Sequence, residues 1–252
     1  MLETQSFGDD DRHPPILIAH GLFGSGRNWG VIAKRLADTR RVVTVDMRNH
    51  GASPWTTSHN YADMADDLAQ VVASTGGEAD VIGHSMGGKA SMVLALNHPS
   101  MVRRLLVADI APVAYTHDQQ RMIAAMRSID LSLVNTRGDA DRQLASVLDE
   151  ASVRAFLLQS LDVKERRWRL NLDVLERDMD QIVGFPDVTG GFDGPTLFLS
   201  GALSDYVKTE HRPLIKAHFP NAKLAKIPKA GHWLHAEKPR EFEAAVRNLL
   251  NT

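Results

Sequence analysis

Short, largely apolar runs recur along the chain at residues 16–19, 42–45, 79–82, 105–108, 196–199 and 222–227, each bounded by Gly, Pro or Asp. Runs of this length without strict alternation suit strands buried on both faces. Between them the spacing changes. Over Tyr61–Ser74 the apolar residues Met64, Ala65, Leu68, Val71 and Val72 fall three and four apart, and residues 87–97 and 240–250 behave likewise. That spacing predicts helices. Strands alternating with helices imply a mostly parallel sheet covered on both faces. Crossovers of one hand then bring the C-terminal strand ends to one edge, where any chemistry is expected.

Residues 114–190 break the alternation. They carry helical spacing at Met122-Ile123-Met126-Ile129, at Val153-Phe156-Leu157-Leu161 and over 168–182, with no strand pattern. This predicts a helical lid, opening after Pro112 and closing through Phe185-Pro186 and Gly194-Pro195, inserted in a core formed by residues 1–113 and 191–252. The stretch from Met1 to Pro15 is polar and acidic and lacks the basic start and apolar run of a secretory leader.

Composition narrows the chemistry. A length of 252 residues fits one large domain, or one core with a lid. The net charge of −2 carries neither a basic excess nor an acidic tail, so no nucleic-acid or membrane-surface partner is expected. Without cysteine there is no disulfide, thiolate nucleophile or Cys-based metal site. The apolar runs fall far short of the ~20 residues of a spanning helix. A cytoplasmic enzyme acting on a small molecule, with neither metal nor organic cofactor, is the expectation; the pattern is silent on oligomeric state.

Gly83-His84-Ser85-Met86-Gly87 matches G-x-S-x-G, and the context is right: a buried strand before it and a helix after it. So sharp a turn needs its glycines. It would hold Ser85 in a strained conformation at a helix N-terminus, where the dipole favours developing negative charge. The bland alternative is a serine that only caps the helix. An acyl-transfer nucleophile also needs oxyanion donors. One is expected at the Met86 N–H and the other in the loop His20-Gly21-Leu22-Phe23-Gly24-Ser25-Gly26, with Leu22 ahead of Phe23 by register. No G-K-[ST] follows that loop, so it is not a Walker A loop.

A serine hydroxyl is a weak nucleophile and needs a base. Of 11 histidines, His59, His98, His117 and His218 read as surface or helix-end residues, and His20 and His50 as structural members of glycine-bearing loops. His84 should project away from its neighbour Ser85. His232, in Lys229-Ala230-Gly231-His232-Trp233, follows the last strand and precedes the last helix, which carries it to the nucleophile's edge. The chain order nucleophile, acid, histidine agrees. His235 is the local rival. For the acid, Asp46, Asp109 and Asp205 all end or follow strands. Asp46 should lie on the far side of the sheet from His232, leaving Asp109 and Asp205.

His20-Gly21-Leu22-Phe23-Gly24-Ser25, Asp46-Met47-Arg48-Asn49-His50-Gly51, Gly83-His84-Ser85-Met86-Gly87-Gly88-Lys89, Asp109-Ile110-Ala111-Pro112-Val113 and Gly231-His232-Trp233 occur in this order. Together they resemble the YbfF-like esterase branch of the α/β-hydrolase superfamily, from Ile16 to Leu250. The resemblance implies a carboxylesterase or acyl-CoA thioesterase taking simple esters. In most of the superfamily the acid follows the penultimate strand as G-x-x-D. Here Gly201-Ala202-Leu203 leads to Ser204, and Asp205 comes one residue late. Asp109, which ends the strand after the elbow helix, occupies the alternative site for the acid and is preferred. The branch implies no carboxylate in the penultimate-strand loop, so Asp205 is a departure that keeps the assignment open.

The pocket is expected to be lined by Leu22, Phe23, Met86, Tyr206 and Trp233 from the core and by Leu131, Phe156 or Leu157 from the lid. The run Lys164-Glu165-Arg166-Arg167-Trp168-Arg169 reads as a solvated helix face or, more sharply, as a dock for coenzyme A phosphates. Lys89, in the elbow helix, invites the same caution, its plain reading being a pair with a nearby carboxylate. The expectation is hydrolysis of short- to medium-chain acyl esters or acyl-CoA by Ser85, His232 and Asp109 through an acyl-enzyme. A lyase or cofactor-free perhydrolase, or a ligand sensor with vestigial hydrolysis, would use the same scaffold.

Overall fold

The computed structural model describes residues 1–10, 12–116 and 119–252; His117 lies outside them. The expected strands form as β2 (Ile16–Ala19), β3 (Val42–Val45), β4 (Ala79–His84), β5 (Val102–Ala108), β8 (Thr196–Gly201) and β9 (Lys223–Ile227). One further strand, β1 (Thr4–Phe7), joins them. Among the described residues they make one seven-stranded sheet in the order β1-β3-β2-β4-β5-β8-β9, parallel except for β1. Thr4-Gln5-Ser6-Phe7 is polar and by its pattern predicts no strand. As an antiparallel edge strand with wet side chains it needs no apolar run. The reading of 222–227 as doubly buried is also corrected. β9 is the other edge, with Lys223, Ala225 and Lys226 exposed, and charged edge residues discourage pairing with a second chain.

Alternate residues of each strand face opposite cores. Leu17 and Ala19 of β2, with Leu105 and Val107 of β5, pack with the helices α2 (Tyr61–Ser74) and α3 (Met86–Asn97). Ile16 and Ile18, with Leu106 and Ala108, join a second cluster with α1 (Gly30–Leu36) and α11 (Pro239–Leu250). α3 follows the central strand β4 and is buried from Met86 through Leu96. Ser85 therefore sits at the head of a helix that is buried along nearly its whole length.

Between β5 and β8 the chain forms α4 (Gln120–Arg127), α5 (Arg137–Leu144), α6 (Ala151–Leu157), α7 (Leu172–Arg177) and α8 (Met179–Val183). It also contains a hairpin that the sequence reading missed, β6 (Leu161–Asp162) with β7 (Arg167–Trp168). The basic run is thus no helix face: Arg166 turns the hairpin at φ 50°, and Arg169 pairs with Asp162 at 2.7 Å. The insertion is sewn to the core by Ser160 Oγ to the Phe23 carbonyl (2.7 Å), Gly51 N to the Arg169 carbonyl (2.8 Å) and His59 N to Asp178 (2.7 Å). α9 (Arg212–His218) and α10 (Leu234–Glu237) complete the chain.

Candidate active site

Three loops converge at the C-terminal edge of the sheet. The first joins β4 to α3. Ser85 sits there at φ 52°, ψ −120°, with its N–H on the Ala108 carbonyl (3.0 Å). Although it occupies the N-cap position, its side chain makes no capping hydrogen bond. Sterics dictate the glycines: a Cβ on Gly83 would lie 2.4 Å from the Gly87 carbonyl oxygen, and one on Gly87 2.5 Å from those of Ala19 and His20. Strand, loop and helix are packed backbone to backbone, which holds the strained serine in place.

The second loop follows β2. Gly21 passes against Ser85, since a Cβ there would meet Ser85 Cβ at 3.2 Å. Phe23 has φ 63°, and its N–H donates to His50 Nε2 (3.1 Å). That amide is therefore spent, whereas the N–H groups of Leu22 and Met86 donate to no described residue. His50 Nδ1 donates to the Arg48 carbonyl (2.8 Å), and His20 bridges the Gly21 carbonyl (2.8 Å) and the Met47 N–H (2.9 Å). Burial holds both histidines neutral, His20 down to about 4 and His50 to about 3. Both are structural, as expected. His59 is not the surface residue the sequence suggested: it is fully buried, with Nε2 3.2 Å from Met86 Sδ.

The third loop, after β9, carries His232. Its Nδ1 lies 2.7 Å from Asp109 Oδ2. A carboxylate only accepts, so the proton sits on Nδ1 and the Nε2 lone pair is left for chemistry. The ring is stacked on Tyr206 (4.0 Å between centroids, 18° between planes), and its backbone carbonyl accepts from His84 Nε2 (2.9 Å). Asp109 is completely buried at φ 52°, just past β5. Its carboxylate also accepts from Gly201 N (3.0 Å) and Ser204 Oγ (2.5 Å), so every lone-pair direction near the imidazole is taken. Asp205 is exposed and stands apart from this network, while Asp46 accepts from Gly26 N and Ala52 N (2.8 Å each) on the far side. His235 stacks on Trp29 and is buried.

A model of the α/β hydrolase fold family matches residues 14–239. The chain belongs to this family. Within it the chain falls in the YbfF-like esterase branch: it is 39% identical over 254 residues to Esterase YbfF of Escherichia coli (strain K12), covering 99% of this chain and 98% of the relative. It is 44% identical over 248 residues to the sn-1-specific diacylglycerol lipase ABHD11 of Mus musculus, covering 94% and 81%. Among solved structures, a marine microorganism esterase superposes with a TM-score of 0.93 at 40% identity over 98% of both chains.

In this α/β-hydrolase, Ser85 and His232 line one cavity of about 290 Å³. Leu22, Phe23, Met86, Tyr206 and Trp233 line it, and so do Phe156 and Leu157 from the insertion. Leu131 does not; it packs against the core elsewhere. None of residues 164–169 reaches the cavity. Lys89 does, though it pairs with no carboxylate among the described residues. Its ammonium, pushed down to about 7 by burial, donates to the Val183 (2.9 Å) and Gly184 (2.5 Å) carbonyls and lies 4.8 Å from the Tyr115 ring centroid.

The sequence reading passed over Ser204, which stands where G-x-x-D would put the acid; that register was its one visible signal. It also missed Tyr115, whose hydroxyl joins the Ala111 N–H (2.9 Å) to the Tyr206 carbonyl (2.6 Å) and so braces the acid loop against the ring stacked on His232. Among the described residues, no group of three or more His, Asp or Glu side chains could hold a metal ion, and no helix is long and apolar enough to cross a membrane.

Proposed function

We propose that this chain is a serine carboxylesterase. Ser85 Oγ attacks the acyl carbon while His232 Nε2 takes its proton, and Asp109 holds the ring and stabilises the imidazolium. The N–H groups of Leu22 and Met86 receive the developing oxyanion. The tetrahedral adduct collapses as His232 returns the proton to the departing alcohol, leaving acyl-Ser85. Water then gives a proton to His232 and attacks the acyl carbon; as the bond from that carbon to Ser85 Oγ breaks, His232 returns the proton to Oγ and the carboxylic acid leaves. The observation that carries this reading is the 2.7 Å contact between His232 Nδ1 and Asp109, in the wall of the cavity that Ser85 also lines.

The substrate class follows from the cavity. At about 290 Å³ and walled mainly by apolar side chains, it is at the small end of the ~300–1,000 Å³ typical of ligand pockets, which favours short- to medium-chain acyl groups. The insertion over residues 114–190 is read as a lid that shields the acyl-enzyme. Thioesters offer the same carbonyl chemistry, so acyl-CoA belongs among the candidates, and the name of the mouse relative adds the primary ester of a diacylglycerol.

A panel of p-nitrophenyl esters from acetyl to dodecanoyl, with acyl-CoA and diacylglycerol beside it and Ser85→Ala as the blank, tests the reading. Turnover is expected with a pre-steady-state burst of p-nitrophenol equal to the enzyme present, and none in the blank. A single turnover at most would make the protein a ligand sensor instead, and hydrolysis surviving in Ser85→Ala would remove the nucleophile.

A further inference from the structure

The last carbonyls of a helix have no partner within it and must find one elsewhere. At the end of α8 they turn into the core rather than to solvent. Tyr61 Oη donates to the Ile182 carbonyl (2.5 Å), Tyr115 N to that of Val183 (3.0 Å), and Lys89 Nζ to those of Val183 (2.9 Å) and Gly184 (2.5 Å). A cation at a helix C-terminus is favourably placed with respect to the helix dipole. Yet Lys89 is only 1% exposed and, among the described residues, has no carboxylate partner. A buried ammonium is costly, and a methionine would fill the same volume without the desolvation penalty.

Position accounts for retaining the charge. Lys89 lies four residues beyond Ser85, its N–H on the Ser85 carbonyl (3.0 Å), and both residues line the same cavity. Lys89, Tyr61, Tyr115, Ile182 and Val183 all line the cavity that contains Ser85. The Lys89 side chain thus ties the helix that follows Ser85 to a stretch of the insertion that walls the cavity.

We propose that Lys89 is a specificity-determining residue: by fastening the end of α8 to the nucleophile helix, it sets how far the Ile182–Val183 wall stands from Ser85 and so limits the acyl groups that fit. It acts through that wall as a positioning residue. The assignment rests on the esterase reading above for its consequence, but not for the tether itself.

Two measurements on the full-length protein separate these layers. The first is kcat/KM over the p-nitrophenyl ester series for wild type, Lys89→Met and Tyr61→Phe. Methionine keeps the length and loses the cation, and phenylalanine removes the neighbouring tether. In Lys89→Met the ratio of kcat/KM for the decanoyl ester to that for the acetyl ester should rise about tenfold, mainly through KM, because a wall no longer held by the charge-assisted hydrogen bond admits the longer chain. Tyr61→Phe should move it the same way by less. A chain-length profile parallel to wild type in both variants would overturn the assignment, whatever the absolute rates. The second is amide hydrogen exchange, which needs no substrate. Exchange at Ile182 and Gly184, whose N–H groups bond within the helix, should quicken about tenfold or more in Lys89→Met while β4 is unchanged. Unchanged exchange there would remove the tether. Should Lys89→Met fail to fold, Lys89→Gln, which is also uncharged, carries both readouts. If wild type hydrolyses no ester, the esterase reading fails while the exchange result still decides the tether.

Discussion

Ser204 gives its hydroxyl to the same oxygen of Asp109, Oδ2, that receives the Nδ1–H of His232. With Gly201 N on the other oxygen, the carboxylate cannot rotate away from the imidazole. The loop after the penultimate strand therefore supplies the clamp for an acid that comes from the neighbouring strand.

If Asp109 is the acid, Asp109→Asn lowers kcat by up to ~10⁴, since the amide favours the wrong imidazole tautomer. Asp205→Asn, altering an exposed side chain, should change kcat by less than about twofold. Steady-state kinetics on a short-chain ester decide it, and the opposite ranking would move the acid to Asp205. Ser204→Asp in the Asp109→Asn background should regain at least ~10-fold, because a carboxylate at 204 would lie within reach of His232 Nδ1.

The elbow tolerates no side chain at Gly87, where a Cβ would lie 2.5 Å from two backbone oxygens that cannot move without shifting β2. Gly87→Ala is expected to cost roughly 1–3 kcal/mol of stability as an overpacked site. It should also lower kcat more than KM changes, through displacement of Ser85 and the Met86 amide. Denaturant melts paired with kinetics test this; a stable and fully active variant would refute the packing argument.

His50 holds the loop after β2 by accepting from Phe23 N. His50→Phe retains an aromatic ring but strands that amide and the Arg48 carbonyl, each a buried group costing about 1–3 kcal/mol when unpaired. A fall in melting temperature and a drop in kcat of about tenfold or more are expected, because Leu22 shares the loop. Normal kcat with lowered stability would separate the loop from catalysis.

His235 provides a pH test. It stacks on Trp29 at 4.0 Å, and its Nδ1 is buried with no hydrogen-bond partner among the described residues. Burial lowers its pKa to about 3 from an ordinary 6.5, with the neighbouring His232 adding to the effect. Between those values the unfolded chain binds a proton that the folded chain does not. The residue's contribution to stability is thus complete above pH ~6.5 and is lost progressively as the pH falls towards 3. His235→Phe keeps the stack and removes the titration, so its melting temperature should decline less steeply than that of wild type between pH 6.5 and 4.5. Parallel declines would show that other groups, such as His20 and His50, govern acid unfolding.

Much of this was legible because it obeys local rules. The buried strands announce themselves as apolar runs, α2 by its three-and-four spacing, and the elbow by glycines that steric exclusion requires. What escaped was set by neighbours distant in sequence. β1 is polar because an edge strand has a wet face, and the β6–β7 hairpin is too short to show a period. His59 resembles a surface histidine until the insertion folds over it and Asp178 accepts its N–H.

By itself, the sequence determined the layered architecture, the position of Ser85 between strand and helix, and the edge to which His232 must come, since each follows from spacing and backbone sterics along the chain. Only the tertiary structure decided that Asp109 rather than Asp205 faces the imidazole, that Ser204 secures it, and that Lys89 bonds to helix-end carbonyls instead of a carboxylate. Those outcomes depend on which side chains meet across strands and insertion, and a linear pattern carries no record of distances between residues far apart in the chain.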